Sequence, residues 1–153
     1  MKTLLASILL LHALPVYAWA PDTLVGTWLL KHQEINGEET KAAPLQLSVY
    51  QIRESLSFAF ATQVNEKFET NMGYRVLLDG TEADVKNAKG DKVGTVKMTL
   101  PAPSQYAITL SRANSPPTIG KLIVSPDGKT LTSETETKQG DRVIHLMQVF
   151  TRQ

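Results

Sequence analysis

A repeated alternation of apolar and polar residues over short segments is the pattern that organises this chain. In residues 55–62, Leu56, Phe58 and Phe60 fall on one side of an extended chain, while serine and alanine fall on the other. Successive side chains of a strand point to opposite faces, so this period of two predicts strands with one apolar face. Similar segments recur at residues 24–33, 45–52, 69–78, 82–86, 92–100, 106–111, 118–125, 130–138 and 142–151.

Turn-forming pairs separate these segments. Asp79-Gly80, Asp127-Gly128 and Gly140-Asp141 each suit a tight turn, and Pro126 presets the backbone before the second of them. No convincing helix separates the segments, so the chain predicts an all-β fold, an up-and-down antiparallel β-barrel of about ten strands. Closure into a barrel removes the exposed edges of an open sheet, and ten strands leave room inside. A β-sandwich is the alternative for the same turn spacing.

The first residues differ from the rest and predict a secretory signal peptide over residues 1–18. Lys2 gives a positive start, residues 4–14 are almost wholly apolar, and small residues follow. Cleavage after Ala18 is favoured over cleavage after Ala20, because the second site would place a proline directly after the scissile bond. The protein is therefore expected to be secreted or periplasmic.

The remaining chain, residues 21–153, is expected to form a single barrel domain. The apolar run of the signal is too short to span a membrane, and no other segment approaches the length needed, so no integral membrane segment is expected in the mature chain. Without Lys2, 15 basic residues face 15 acidic ones, which gives no electrostatic reason for nucleic-acid binding. The chain has no cysteine, so packing and hydrogen bonds must supply its stability. Residues 34–44 are predicted to form a polar loop, and whether it acts as a lid stays open.

Candidate catalytic and metal-binding groups are sparse. His32 and His145 are the histidines that follow the signal, and they lack any spacing typical of a zinc site. Neither a hydrolase Gly-x-Ser-x-Gly turn nor a phosphate-binding loop is present. Glu134 and Glu136 alternate with Lys138 on a threonine-rich strand, which a charged outer face explains better than acid–base catalysis. The sequence therefore predicts a protein that is not an enzyme and holds no metal.

Two short motifs resemble the calycin superfamily. Gly26-Thr27-Trp28 opens the first strand, and residues 127–132 precede a last strand that ends in Arg152. The similarity is closest to fatty-acid-binding-like and bacterial lipocalin-like proteins. It implies that Trp28 closes one end of the barrel with Gly26 beside it, and that Arg152 lies across the tryptophan ring in a cation–π contact.

The same resemblance bears on the ligand. Intracellular fatty-acid binders typically hold the ligand carboxylate with Arg-x-Tyr on the last strand, but Gln148 and Phe150 stand where those residues are expected. The sequence therefore predicts an exported barrel that binds a small apolar molecule without that carboxylate clamp and without a cofactor. The same side chains equally suit a filled core. The cavity candidates are Trp28, Phe58, Phe60, Tyr74, Met98, Tyr106, Gln148 and Phe150.

Two other functions remain as alternatives. His145, followed by Leu146, is faintly similar to the last strand of haem-binding barrels of the nitrobindin type, where a histidine ligates iron. His145 and Gln148 fall on opposite faces of a strand, so the two resemblances require opposite faces inward. The third function is an interaction domain with a filled core that pairs with a partner through the polar strand of residues 130–138.

Overall fold

A computed structural model describes residues 23–153, and all of their regular structure is β-strand. The predicted signal peptide and both cleavage positions lie outside the described residues. Within residues 23–153, no helix is present that is long and apolar enough to cross a membrane. The strands are β1 (Gly26–Ile35), β2 (Glu38–Glu39), β3 (Leu45–Ile52), β4 (Ser55–Val64), β5 (Lys67–Val76), β6 (Ala83–Asn87), β7 (Lys92–Ala102), β8 (Gln105–Arg112), β9 (Ser115–Val124), β10 (Thr130–Gln139) and β11 (Arg142–Arg152).

Each long strand pairs antiparallel with its neighbour in the chain, and β1 pairs with β11 to close the sheet. The two-residue strand β2 folds back on the end of β1, so ten strands form the wall. The prediction of an all-β, up-and-down antiparallel barrel of about ten strands is confirmed. Closure against β11 rules out two separate sheets, because β1 pairs with β3 on one side and with β11 on the other.

A β-bulge in β1 changes which side chains face inward. Leu30 pairs with Phe150 and His32 pairs with Val149, so Lys31 is an extra residue on the β1 side. Strict alternation would put His32 on the same face as Trp28 and Leu30. The bulge shifts the phase by one residue, as bulges do, and His32 lies on the outer face instead.

Two strands extend through prolines that lie outside the predicted segments 92–100 and 118–125. The β9 strand begins at Ser115, so Pro116 and Pro117 lie within it, and β7 continues through Pro101 to Ala102. Register irregularities lie beside both places, between Thr99 and Ala102 and between Leu110 and Arg112. A proline is tolerated where the ladder is already interrupted, because its missing N–H is not needed there.

Side chains from most of the barrel strands form one hydrophobic core, concentrated toward the end where the described chain begins and ends. Leu24 and Trp28 are completely buried there. The rest of this core consists of Leu47, Val49, Leu56, Phe58, Tyr74, Val76, Val85, Val96, Met98, Tyr106, Leu122, Val124, Leu131 and Phe150.

Candidate functional site: a cavity in the open half of the barrel

One end of the barrel is closed by Trp28 and Arg152. The Trp28 indole nitrogen donates a hydrogen bond of 2.9 Å to the carbonyl of Leu24. The Arg152 guanidinium carbon lies 4.2 Å from the centroid of the Trp28 ring, which is the contact that the resemblance implied. A side chain at position 26 would collide with that guanidinium, so only glycine leaves room for the contact.

The Arg152 guanidinium also links the last strand to the segment before β1 and to the turn between β9 and β10. Its Nε donates to the carbonyl of Gly128 at 2.6 Å, and its terminal nitrogens donate to the carbonyls of Val25 and Thr23. Charge-assisted bonds of this kind are stronger than neutral ones. This half of the barrel is therefore held by a planar cation that binds three backbone carbonyls and covers an aromatic ring. We call the half around Trp28 and Arg152 the closed half.

The other half contains a cavity of about 470 Å³. Its lining divides into two walls of different chemistry. The apolar wall consists of Leu47, Phe60, Met72, Tyr74, Ile108, Leu110, Leu122, Ile144, Leu146 and Phe150. The polar wall consists of Thr118, Ser133, Thr135, Thr137 and Gln148, from the adjacent strands β9, β10 and β11. Arg112, Ser115 and Pro116 lie around the mouth, where β8 turns into β9. We call this the open half.

Part of the polar wall is hydrogen-bonded within itself. The hydroxyls of Thr118 and Thr137 lie 2.7 Å apart across β9 and β10. Gln148 donates through Nε2 to the side-chain oxygen of Gln33 at 2.8 Å. Gln33 in turn donates to the hydroxyl of Thr40 at 3.1 Å. This chain of bonds links the cavity wall to the segment that follows β2.

Other polar groups of the wall have no partner in the described part of the chain. Ser133 and Thr135 point inward on β10, and their hydroxyls make no hydrogen bond to any residue within 23–153. The amide oxygen of Gln148 also accepts none from that part of the chain. These groups are free to bond to whatever occupies the cavity.

Tyr74 places a further polar atom in the apolar wall. Its ring stacks on Phe58 with centroids 4.7 Å apart and lies 5.8 Å from Phe60. The residue is only 6% exposed, and this burial raises the pKa of its hydroxyl well above the ordinary value. Tyr74 therefore remains a neutral phenol, able to donate a hydrogen bond, at physiological pH.

The last strand has one inward face. Ile144, Leu146, Gln148 and Phe150 line the cavity. His145 lies on the outer face, mostly exposed, with its Nδ1 3.2 Å from the Glu136 carboxylate.

The position of His145 bears directly on the haem alternative. An iron atom in the cavity has no access to an imidazole on the other side of the sheet. The geometry therefore does not support the hypothesis that His145 ligates a haem there. Within residues 23–153, no three potential metal-binding side chains come together.

The cavity candidates divide between the two halves. Phe60, Tyr74, Gln148 and Phe150 line the cavity. The remaining candidates are buried but do not line it, so they fill the core: Trp28, Phe58, Met98 and Tyr106.

Sequence reasoning missed most of the polar wall. Lys121 forms an ion pair of 2.9 Å with Glu134 on the outside of the barrel, so the charged outer face predicted for β10 is present. The strict alternation of that strand then requires Ser133, Thr135 and Thr137 to face inward. The signal that could have found the polar wall is this alternation, which puts the neutral residues of β10 on the face opposite to Glu134 and Glu136.

Edge pairing through residues 130–138 is not available to a partner. The β10 strand pairs with β9 along one side and with β11 along the other. Its backbone donors and acceptors are therefore used inside the barrel. The interaction-domain alternative in that form conflicts with the observed topology.

Comparison with known proteins shows the fold. No protein-family profile and no curated protein sequence matches the chain. Among solved structures, the zebrafish ileal bile-acid-binding protein in complex with cholic acid is similar, with a TM-score of 0.58 and 14% identity, over 86% of this chain and 99% of that one. A fatty-acid transporter described as REP1-NXSQ is 18% identical with a TM-score of 0.53, over 85% and 98% of the two chains.

A third similar structure is the S-type phycobiliprotein lyase CPES from Guillardia theta, with a TM-score of 0.53 and 9% identity, over 86% of this chain and 89% of that one. At such identities the likenesses show a shared architecture and nothing about activity. The fold is the calycin-like barrel that the Gly26 and Trp28 motif suggested.

Proposed function

We propose that this protein is exported and that the open half of its barrel binds one small apolar molecule in neutral form. The observation that carries the proposal is the cavity of about 470 Å³, which falls within the range of roughly 300–1,000 Å³ typical of small-molecule sites. Its lining also has the usual composition of such sites, largely apolar with a few polar groups.

A neutral ligand fits the charges of the lining. Among the described residues that line the cavity, Arg112 is the one basic side chain, and it lies exposed at the mouth. Gln148 and Phe150 line the cavity, and they are the residues that the resemblance to fatty-acid binders aligns with the Arg-x-Tyr carboxylate clamp. A carboxylate buried beside them would lose its hydration without gaining an ionic partner, which is strongly unfavourable.

The similar barrels give indirect support. One is described in complex with cholic acid and another as a fatty-acid transporter, so this architecture occurs elsewhere with guests that have a large apolar body. The signal-like residues 1–18 support the proposal of export. As a carrier or scavenger outside the cytoplasm, the protein needs no catalytic group, and we expect no turnover of the bound molecule.

Native mass spectrometry of the purified mature protein tests this proposal. We expect a mass excess of a few hundred daltons that disappears on denaturation, because a guest held without covalent bonds leaves when the barrel opens. If no guest survives purification, the readout is saturable binding of an apolar naphthalene dye instead of a mass excess.

Two adjacent residues give a matched pair of variants. Leu146→Trp would fill the cavity, whereas Met147→Trp adds the same ring to the outer face of β11. The guest or dye should be lost in the first variant and kept in the second. Equal binding by both variants, or no binding by the wild type, would contradict a guest inside the barrel.

A further inference from the structure

The unpaired hydroxyl of Tyr74 is the least expected feature of the cavity. The side chain is 94% buried, since 6% of the residue is exposed, yet it makes no hydrogen bond to any residue of the described chain. Every completely buried side-chain nitrogen or oxygen within residues 23–153 has a partner. The Tyr74 oxygen therefore keeps some accessible surface. Tyr74 lines the cavity and also a second pocket beside β6. Because its ring packs on Phe58 and Phe60 inside the barrel, we assign the oxygen to the cavity.

Further unpaired groups lie on the polar wall. The hydroxyls of Ser133 and Thr135 and the amide oxygen of Gln148 line the same cavity without a partner within residues 23–153. Folded proteins rarely leave buried polar groups unpaired, because such groups lose their bonds to water without replacement. The four groups of this cavity are no exception, because each keeps some accessible surface: Ser133, Thr135 and Gln148 are only half-buried, and no completely buried polar atom among the described residues is unpaired. Their partner is therefore whatever fills the cavity, either water or a ligand that offers matching polar atoms.

A plain hydrocarbon chain is a poor occupant for these walls. It would displace any water that hydrates the hydroxyls of Tyr74, Ser133 and Thr135. These hydroxyls would then have no hydrogen-bond partner. A molecule with oxygen atoms on an apolar body would instead accept from Tyr74 and exchange bonds with Ser133 and Thr135. Such an occupant also agrees with the charges of the lining, since alcohol and ketone oxygens are neutral and Arg112 at the mouth is the one basic side chain among the described residues that line the cavity.

We propose that the ligand is a neutral lipid whose apolar body carries hydroxyl or carbonyl oxygens, and that Tyr74, Ser133 and Thr135 select it over unsubstituted hydrocarbon. This inference rests on the proposed binding function and specifies its ligand class. Tyr74 donates a hydrogen bond to the ligand from the apolar wall. The hydroxyls of Ser133 and Thr135 on β10 form hydrogen bonds with ligand oxygens that face the polar wall.

A steroid series tests the selection. Androstane, androstanol and androstanediol share one rigid skeleton and differ in carrying no, one or two hydroxyls. Each steroid is titrated against a bound naphthalene dye in the wild type and in Tyr74→Phe, which keeps the ring and removes only the unpaired oxygen. Tyr106→Phe is the matched control, since Tyr106 is a buried tyrosine that does not line the cavity.

We expect Tyr74→Phe to weaken androstanediol binding about 3- to 10-fold, the effect of one lost hydrogen bond. Androstane binding should change less than about 2-fold, because a hydrocarbon never used that donor. Tyr106→Phe should leave the affinity ratio of the two steroids unchanged. Equal effects of Tyr74→Phe on both steroids, or no effect on either, would overturn the selection by oxygen.

The polar wall has its own pair of variants. Thr135→Val removes an inward hydroxyl, and Thr132→Val removes one on the outer face of the same strand. The first should reduce the preference for androstanediol over androstane and the second should not.

The steroid series also separates this inference from the function on which it rests. If the wild type binds the dye but prefers androstane, the barrel is a binder and the ligand class is wrong. If neither dye nor steroid binds the wild type, the binding function itself fails, and the ligand class with it.

Discussion

The two halves of this barrel use the same strands for different purposes. In the closed half, Trp28 is fully buried and Arg152 binds three backbone carbonyls. In the open half, a cavity is lined by hydroxyls that have no partner among the described residues, such as those of Tyr74 and Thr135. The closed half thus carries the packing that stabilises the fold, whereas the open half carries polar groups whose partners, in our proposal, come from a ligand.

Removal of the Trp28 ring should have the largest effect. Trp28→Ala is expected to lower the free energy of unfolding by about 3–5 kcal/mol, because it leaves a cavity in the packed half. Leu146→Ala, in the wall of the existing cavity, should cost only about 1 kcal/mol, since part of that side chain already faces empty space. Urea unfolding followed by circular dichroism measures both. Equal losses in the two variants would contradict the division into halves.

The second prediction concerns the geometry of Arg152. Arg152→Lys keeps the positive charge but cannot present a planar fork to three carbonyls and cover a ring at once. We expect the free energy of unfolding to fall by about 1.5–3 kcal/mol, with the affinity for the naphthalene dye little changed. A loss below about 0.5 kcal/mol in the same urea experiment would show that charge alone suffices at the closed end.

The third prediction compares two hydroxyls of the polar wall. Thr118→Val breaks the 2.7 Å bond to Thr137 and should lower the free energy of unfolding by about 1 kcal/mol. Thr135→Val removes a hydroxyl that has no partner within residues 23–153 and should change the free energy of unfolding by less than about 0.5 kcal/mol. If Thr135→Val is as destabilising as Thr118→Val, then Thr135 serves the fold and not a ligand.

The smallest effect concerns His32 on the outer face, remote from both halves' interiors. Its hydrogen bond with Glu34, and secondarily the charge of Glu39, raises the pKa of His32 above its ordinary value of 6.5. Because the folded-state pKa is the higher one, this contribution to stability is complete below about pH 6.5 and is lost as the pH rises through the raised value.

A proton NMR titration of the imidazole checks this assignment. Glu34→Gln should return the pKa of His32 most of the way to its ordinary value, and Glu39→Gln should do so to a smaller extent. A pKa that stays equally high in both variants would mean that some other group raises it.

Much of the fold was readable from the sequence because period-two alternation and turn residues are local signals. The strand that carries Leu56, Phe58 and Phe60 is a clear case. The Arg152 contact with Trp28 was implied by the resemblance to the calycin superfamily that two short motifs carry. Bulges were not readable, since they depend on how two strands pair. The extra residue Lys31 is visible only from its partner strand, and it alone turns His32 outward.

Only part of the candidate site could be predicted from the sequence, and the reason is physical. Aromatic residues on inward faces look alike whether they fill a core or line a cavity, so Phe58 and Phe60 could not be separated by sequence. What separates them is their position along the barrel axis. The polar wall was missed because Ser133 and Thr135 resemble the surface threonines of any exposed strand until closure of the barrel fixes which face is inside.

The most direct test of the central claim is a two-dimensional NMR titration of the ¹⁵N-labelled mature protein with androstanediol. We predict that saturable shifts appear at amides of the open half, such as Thr118, Thr135 and Leu146, while the Trp28 indole N–H of the closed half stays unchanged. No shifts, or shifts confined to outer-face residues such as His145, would contradict a barrel with one half for stability and one half for binding.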